Sequence, residues 1–147
     1  MTFILESVAA GILGTLAMTL FLTLVTRSRL TNADMVLAVG SLATRSLAGA
    51  RKVGLVLHLL AGALFGLLYG AFLAHLATVE STEKMVLFAA VIGFFHGVVV
   101  SMAIVVAVAE HHPLEQFRRP GVEVALAHVV AHVIYGGVTG YFLAQLG

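Results

Sequence analysis

Four histidines fall inside long apolar runs of the chain: His58, His96, His128 and His132. Ionisable side chains at membrane depth are costly, seldom face lipid, and by default mark a functional site. His128 and His132 are i, i+4, the spacing at which one helix face offers two imidazoles to a single metal ion. His58 shares its face with Gly62, Gly66 and Tyr69, and His96 adjoins Gly97, so both should point toward neighbouring helices. Two chemistries suit such a set. The first is haem b held by two imidazoles on facing helices, with glycines leaving room for the macrocycle. The second is a transition metal, most plausibly copper, on His128, His132 and either His58 or His96. Met18 and Met102 could add soft thioether ligands, although Met102 is about 120° around its helix from His96. Glu123, one turn before His128, could act as a supporting partner or as an ordinary acid in a helix's first turn. A plainer role stands beside these: a neutral histidine can bond one helix to the next. His111 and His112, next to Glu110 and Pro113, are expected to lie solvated at the interface.

The elements that carry these residues follow from composition. Of 147 residues, 61% are apolar and 10% charged, far from the composition of soluble domains. A membrane-crossing helix needs about 20 apolar residues, and four such stretches can be read: 3–25, 53–77, 85–109 and 122–146. The fold class is therefore an all-α bundle of four transmembrane helices in a single domain. The first apolar run is too long for a cleaved signal and lacks a basic start, so it should remain as a span. Both prolines, Pro113 and Pro120, sit in the polar stretch 110–121, which must be a loop. Between spans one and two, Thr31 and Asp34 resemble a helix start, and Met35, Val39 and Leu42 recur at helical spacing. A helix over about 32–49, lying in the interface with its arginines in the headgroups, is expected.

Charge sets the expected orientation. Segment 26–52 carries Arg27, Arg29, Arg45, Arg51 and Lys52, and the 110–121 loop carries Arg118 and Arg119, against Lys84 alone on the other side. Basic loops stay cytoplasmic on insertion. A multi-pass protein of the bacterial inner membrane with both termini outside is the expectation. Counted at about 1.5 Å per residue from the basic ends, His58 and His128 lie roughly 8–9 Å deep, His132 about 15 Å and His96 about 20 Å.

Spans two and four share the pattern H-x-x-A-x-x-x-x-G-x-x-x-G, aligning His58, Ala61, Gly66 and Gly70 with His128, Ala131, Gly136 and Gly140. Gly62 aligns with His132, and Phe65 with Tyr135. Spans one and three share Gly11 and Gly14 against Gly93 and Gly97. Two helical hairpins in tandem are implied, related by an axis along the membrane normal, as in some transporters. The pairs and triplets Gly62-Gly66-Gly70, Gly93-Gly97 and Gly136-Gly140 are packing grooves that let backbones approach in lipid. The segments His58 to Tyr69, Gly93-Phe94-Phe95-His96-Gly97 and His132-Val133-Ile134-Tyr135-Gly136 resemble a family of small bacterial four-span membrane proteins of unknown function. That resemblance implies the architecture and no activity.

Several classes are disfavoured. Cysteine is absent, which removes disulfides and thiolate metal sites. The sequence has no HExxH, nucleophile elbow or P-loop, so an enzyme is not expected. Nucleic acid has no evident binding surface; the partner expected is the lipid bilayer, with anionic lipid near the basic loops. Beside the metal or haem reading stand two others. One is a non-catalytic subunit or assembly factor that packs through its glycine faces in a homo-oligomer or larger complex. The other is a small oligomeric transporter.

Overall fold

A computed structural model describes residues 2–76, 81–103 and 110–146. Five α-helices form among them: α1 (Thr2–Arg27), α2 (Met35–Thr44), α3 (Ala50–Ala74), α4 (Thr82–Ala103) and α5 (Val122–Leu146). All but α2 are long and apolar enough to cross a membrane, as the sequence predicts. The expected extension of the third span over 104–109, and residue 77 at the end of the second, lie outside the described residues. Helix α4 begins at Thr82, three residues before the expected start of the third span at 85. Large side chains such as Leu16, Leu20, Leu60, Leu64, Leu87 and Phe95 are exposed on the outer faces. In water such surfaces would be an aggregation hazard; here they are the lipid-facing surface of an integral membrane protein.

Helices α1 and α5 form the central pair. The helix α1 packs on α3 and α5, α5 packs on α1 and α4, and α3 and α4 barely approach one another. The second and fourth spans, α3 and α5, therefore lie on a diagonal. The side between α3 and α4 is the open one. Helix α2 lies against α3 with Met35, Val36, Gly40 and Ser41 buried. It is shorter than the expected 32–49 and packs along α3. Asp34 caps it by accepting from the Leu37 N–H at 2.9 Å, and also pairs with Arg51 at 2.8 Å. Gly40 of α2 and Gly54 of α3 let the backbones touch: a Cβ on Gly40 would strike the Ala50 carbonyl, and one on Gly54 the Val36 carbonyl.

The tandem repeat is visible in how the hairpins pack. In the first, Gly11 meets Gly62, Gly66 and Gly70 meet Ser7, and Thr15 covers Gly62. In the second, Gly93 meets the backbone of His132, Gly136 and Gly140 meet Ala89, and His132 covers Gly97. These are the same contacts displaced by 82 positions on the first helix (Ser7 to Ala89, Gly11 to Gly93, Thr15 to Gly97) and 70 on the second (Gly62 to His132, Gly66 to Gly136, Gly70 to Gly140). The register corrects one sequence alignment: Gly97 corresponds to Thr15, not to Gly14. Where the first hairpin puts the larger side chain on its first helix, the second puts it on its second.

These glycine contacts bear on how the glycine faces were expected to be used. The faces are filled by the chain's own backbone, so they neither leave space for a flat macrocycle nor stand open to a partner chain. The threonine stripe Thr15, Thr19, Thr23 bonds back to carbonyls four residues earlier, at 2.8, 2.7 and 2.7 Å.

A Cβ on Gly66 would come within 2.7 Å of the Gly11 Cα, whereas nothing lies within 4 Å of one on Gly137. Gly66→Val should therefore destabilise the bundle by roughly 1–3 kcal/mol, read as unfolding in mixed SDS micelles. Gly137→Ala should stay within about 1 kcal/mol of wild type or gain stability. Equal losses at both positions would contradict this packing.

Candidate functional site

Three of the four intramembrane histidines open onto one cavity. Its volume is about 200 Å³, and His58 (α3), His96 (α4) and His132 (α5) line it together with Met18, Met35 and Tyr135. The cavity lies on the open side of the bundle, where α3 and α4 share little backbone contact. Side chains bridge that gap instead. The His96 ring lies 4.1 Å from that of Phe65 and 4.7 Å from that of His132, centroid to centroid. Tyr69 places its hydroxyl 3.3 Å from His96 Nδ1, and Tyr69 and Tyr135 meet edge to face at 5.4 Å. The Tyr135 hydroxyl donates to the Gly62 carbonyl at 2.8 Å. An aromatic layer thus ties α3, α4 and α5 together at the level of the imidazoles.

The hydrogen bonds fix the proton on two of the rings. His128 Nδ1 lies 2.7 Å from the Val124 carbonyl, and His132 Nδ1 lies 2.7 Å from the His128 carbonyl. A carbonyl can only accept, so each Nδ1 carries the hydrogen and, in the neutral ring, each Nε2 keeps its lone pair. Anchoring one ring nitrogen on a backbone carbonyl is how metal-ligating histidines are commonly oriented. The Nε2 atoms of His58, His96 and His128 are buried and meet no hydrogen-bond partner among the described residues. Buried polar atoms are otherwise almost always paired, and an unpaired one costs about 1–3 kcal/mol.

His128 does not join the other three. It is 3% exposed and lines a separate cavity of about 140 Å³ at the basic end. His58 and His128 thus line different cavities. His128 and His132 each bend back on their own helix and line different cavities. Among the described residues no three His, Asp or Glu side chains stand close enough to hold a metal ion. The expected three-histidine set is not assembled.

The secondary candidates divide. Met18 is 3% exposed and lines the central cavity. Met102 is 63% exposed and faces outward, as its angle from His96 predicts. Glu123 is exposed, its carboxylate folded over Gly121 at the start of α5, where an acid favours the helix dipole.

Sequence reasoning placed His112 in solvent, yet it is 1% exposed. The Leu114 N–H donates to its Nδ1 at 3.1 Å, so Nε2 carries the hydrogen and donates to the Ala38 carbonyl at 3.1 Å. Arg118 Nε donates to the His112 carbonyl at 2.7 Å. One basic segment thereby grips the other. Pro113, which forces the chain to turn there, was the available signal; the partner 74 residues away was not. Met35 and Phe65 were likewise not singled out as cavity residues.

Comparison with family models, with curated proteins and with solved structures finds no match to this chain.

His112→Ala removes the donor to Ala38 and leaves the Leu114 N–H without its acceptor. A loss of roughly 1–3 kcal/mol and faster hydrogen–deuterium exchange over 35–44 are expected, with α5 protection retained. Unchanged exchange in α2 would show that His112 does not hold it.

Proposed function

We propose that the protein binds a soft transition-metal ion, copper(I), in its central cavity, with the imidazoles of His96 and His132, whose ring centroids lie 4.7 Å apart, and the Met18 thioether as the donor set. The buried Nε2 atoms of His58 and His96, both without partners and both on this cavity, carry this reading. The thioether beside imidazole suits copper(I) better than zinc, which takes thiolate, imidazole or carboxylate, and better than the hard cations, which take oxygen. The cavity supplies no carboxylate, and Val39, Ala61, Phe65 and Val100 make much of its remaining wall apolar. Two nitrogens and a sulfur form a three-coordinate set for a soft ion, to which no Asp, Glu or third histidine need contribute. Haem b is the weaker occupant, because the glycines that would have admitted it are filled.

The setting we propose is the bacterial cytoplasmic membrane, with the basic segments inside and both termini outside. The seven-to-one division of Lys and Arg supports it. So does the His112–Ala38 bond, which brings the two basic segments to one end of the bundle. The role in the cell is then metal handling, not catalysis.

Full-length protein in detergent, given cuprous ion kept reduced by ascorbate, should take up one equivalent in competition with a bicinchoninate chelate. His132→Asn is the sharpest variant. An asparagine amide can still donate to the His128 carbonyl but places no atom where Nε2 stood, so the fold should survive and affinity fall at least tenfold. Wild-type protein that leaves the chelate untouched, or a variant that binds as well as wild type, would defeat the reading.

A further inference from the structure

The cavity at the basic end has a construction that the central site does not use. Its wall includes Asn32, Asp34, Met35, His112, Glu123 and His128. It is more polar than the histidine cavity and lies at the end where the two basic segments meet. Asp34 is committed to the α2 cap and to Arg51. His128 is committed at Nδ1 only; its Nε2 is buried and unpartnered. One side chain is common to both spaces. Met35 lines the polar cavity, lines the histidine cavity, and also borders a gap of about 10 Å³ between Asp34 and His58. The first residue of α2 is thus a partition between a polar chamber and an apolar one.

A hydrated ion cannot reach the histidine cavity through lipid. It must exchange its water for protein donors one at a time, and a soft ion does so most readily on imidazole and thioether. We propose that the basic-end cavity is the loading site for the copper ion, with His128 Nε2 as its first protein ligand and the Met35 thioether as the donor that passes it inward to the central cavity. This rests on the copper reading above and adds the route to it. Arg119, which also lines the cavity, opposes a cation there, and Glu123 offsets that charge from the start of α5. The His112 bond and the Asp34–Arg51 pair hold the partition in place and so set how easily Met35 can move aside.

The test is the rate of transfer, followed as loss of absorbance when the full-length chain in detergent takes cuprous ion from its bathocuproine disulfonate chelate under ascorbate. His128→Asn keeps a donor to Val124 and removes the proposed ligand atom. Met35→Leu keeps volume and removes the sulfur. Each should slow loading at least tenfold while the amount finally bound stays at one equivalent. His132→Asn should instead reduce the amount bound. If both loading variants fill at the wild-type rate, the ion enters elsewhere, most directly from the lipid side between α3 and α4, and the loading site is refuted. If either loses final binding as His132→Asn does, it belongs to the central site and the loading role is again refuted. Wild-type protein that takes no copper would bring down the copper reading and this route together.

Discussion

An imidazole has two nitrogens, and an α-helix in lipid can satisfy only one of them from its own backbone. The i−4 carbonyl of an α-helix already accepts one hydrogen bond and has a second lone pair to offer. His128 and His132 take that offer with Nδ1. The other nitrogen then projects with a lone pair that no backbone carbonyl can meet, because a carbonyl accepts as well. Water is the ordinary remedy in a soluble protein. At membrane depth the remedy is a donor side chain or a metal ion, and the donors nearby are few. The Tyr135 hydroxyl is spent on Gly62. The threonine hydroxyls of α1 are spent on their own helix.

Close packing decides where these nitrogens gather. Lipid provides no hydrophobic drive between helices, so association relies on backbone approach at glycine. The hairpins α1–α3 and α4–α5 each use the same register of small residues, and that register consumes the faces on which it lies. The α3–α4 side is left without glycine contacts and is bridged by rings. The divergence between hairpins supplied one imidazole: Gly97 stands where the first hairpin has Thr15, and the space it frees is taken by His132 in place of Gly62. A cavity with imidazoles on three helices follows from a repeat whose copies traded large for small.

Much of the architecture was legible because it depends on period and charge. Four spans and the proline-bounded loop follow from apolar run length and breaker residues, whereas the helix start read at Thr31 and Asp34 falls at Asp34, which is itself the cap. The outward angle of Met102 was read correctly from helical geometry alone. What could not be read was which neighbour fills a face. Glycine spacing announces close contact but not whether another helix or a ligand makes it, and the haem expectation failed on that point. His112 looked solvated because its partner Ala38 is remote in sequence. The i, i+4 spacing of His128 and His132 promised a shared ion, yet both rings bend back on the helix and open onto different spaces. Side-chain direction overrode spacing.

The central claim is that buried imidazole nitrogens and a thioether form one donor set. X-ray absorption spectroscopy of the copper(I)-loaded protein tests it most directly. The account predicts the outer-shell scattering of coordinated imidazole together with one sulfur in the first shell, the sulfur being lost in Met18→Leu. A first shell of oxygen and nitrogen with neither imidazole scattering nor sulfur would contradict it.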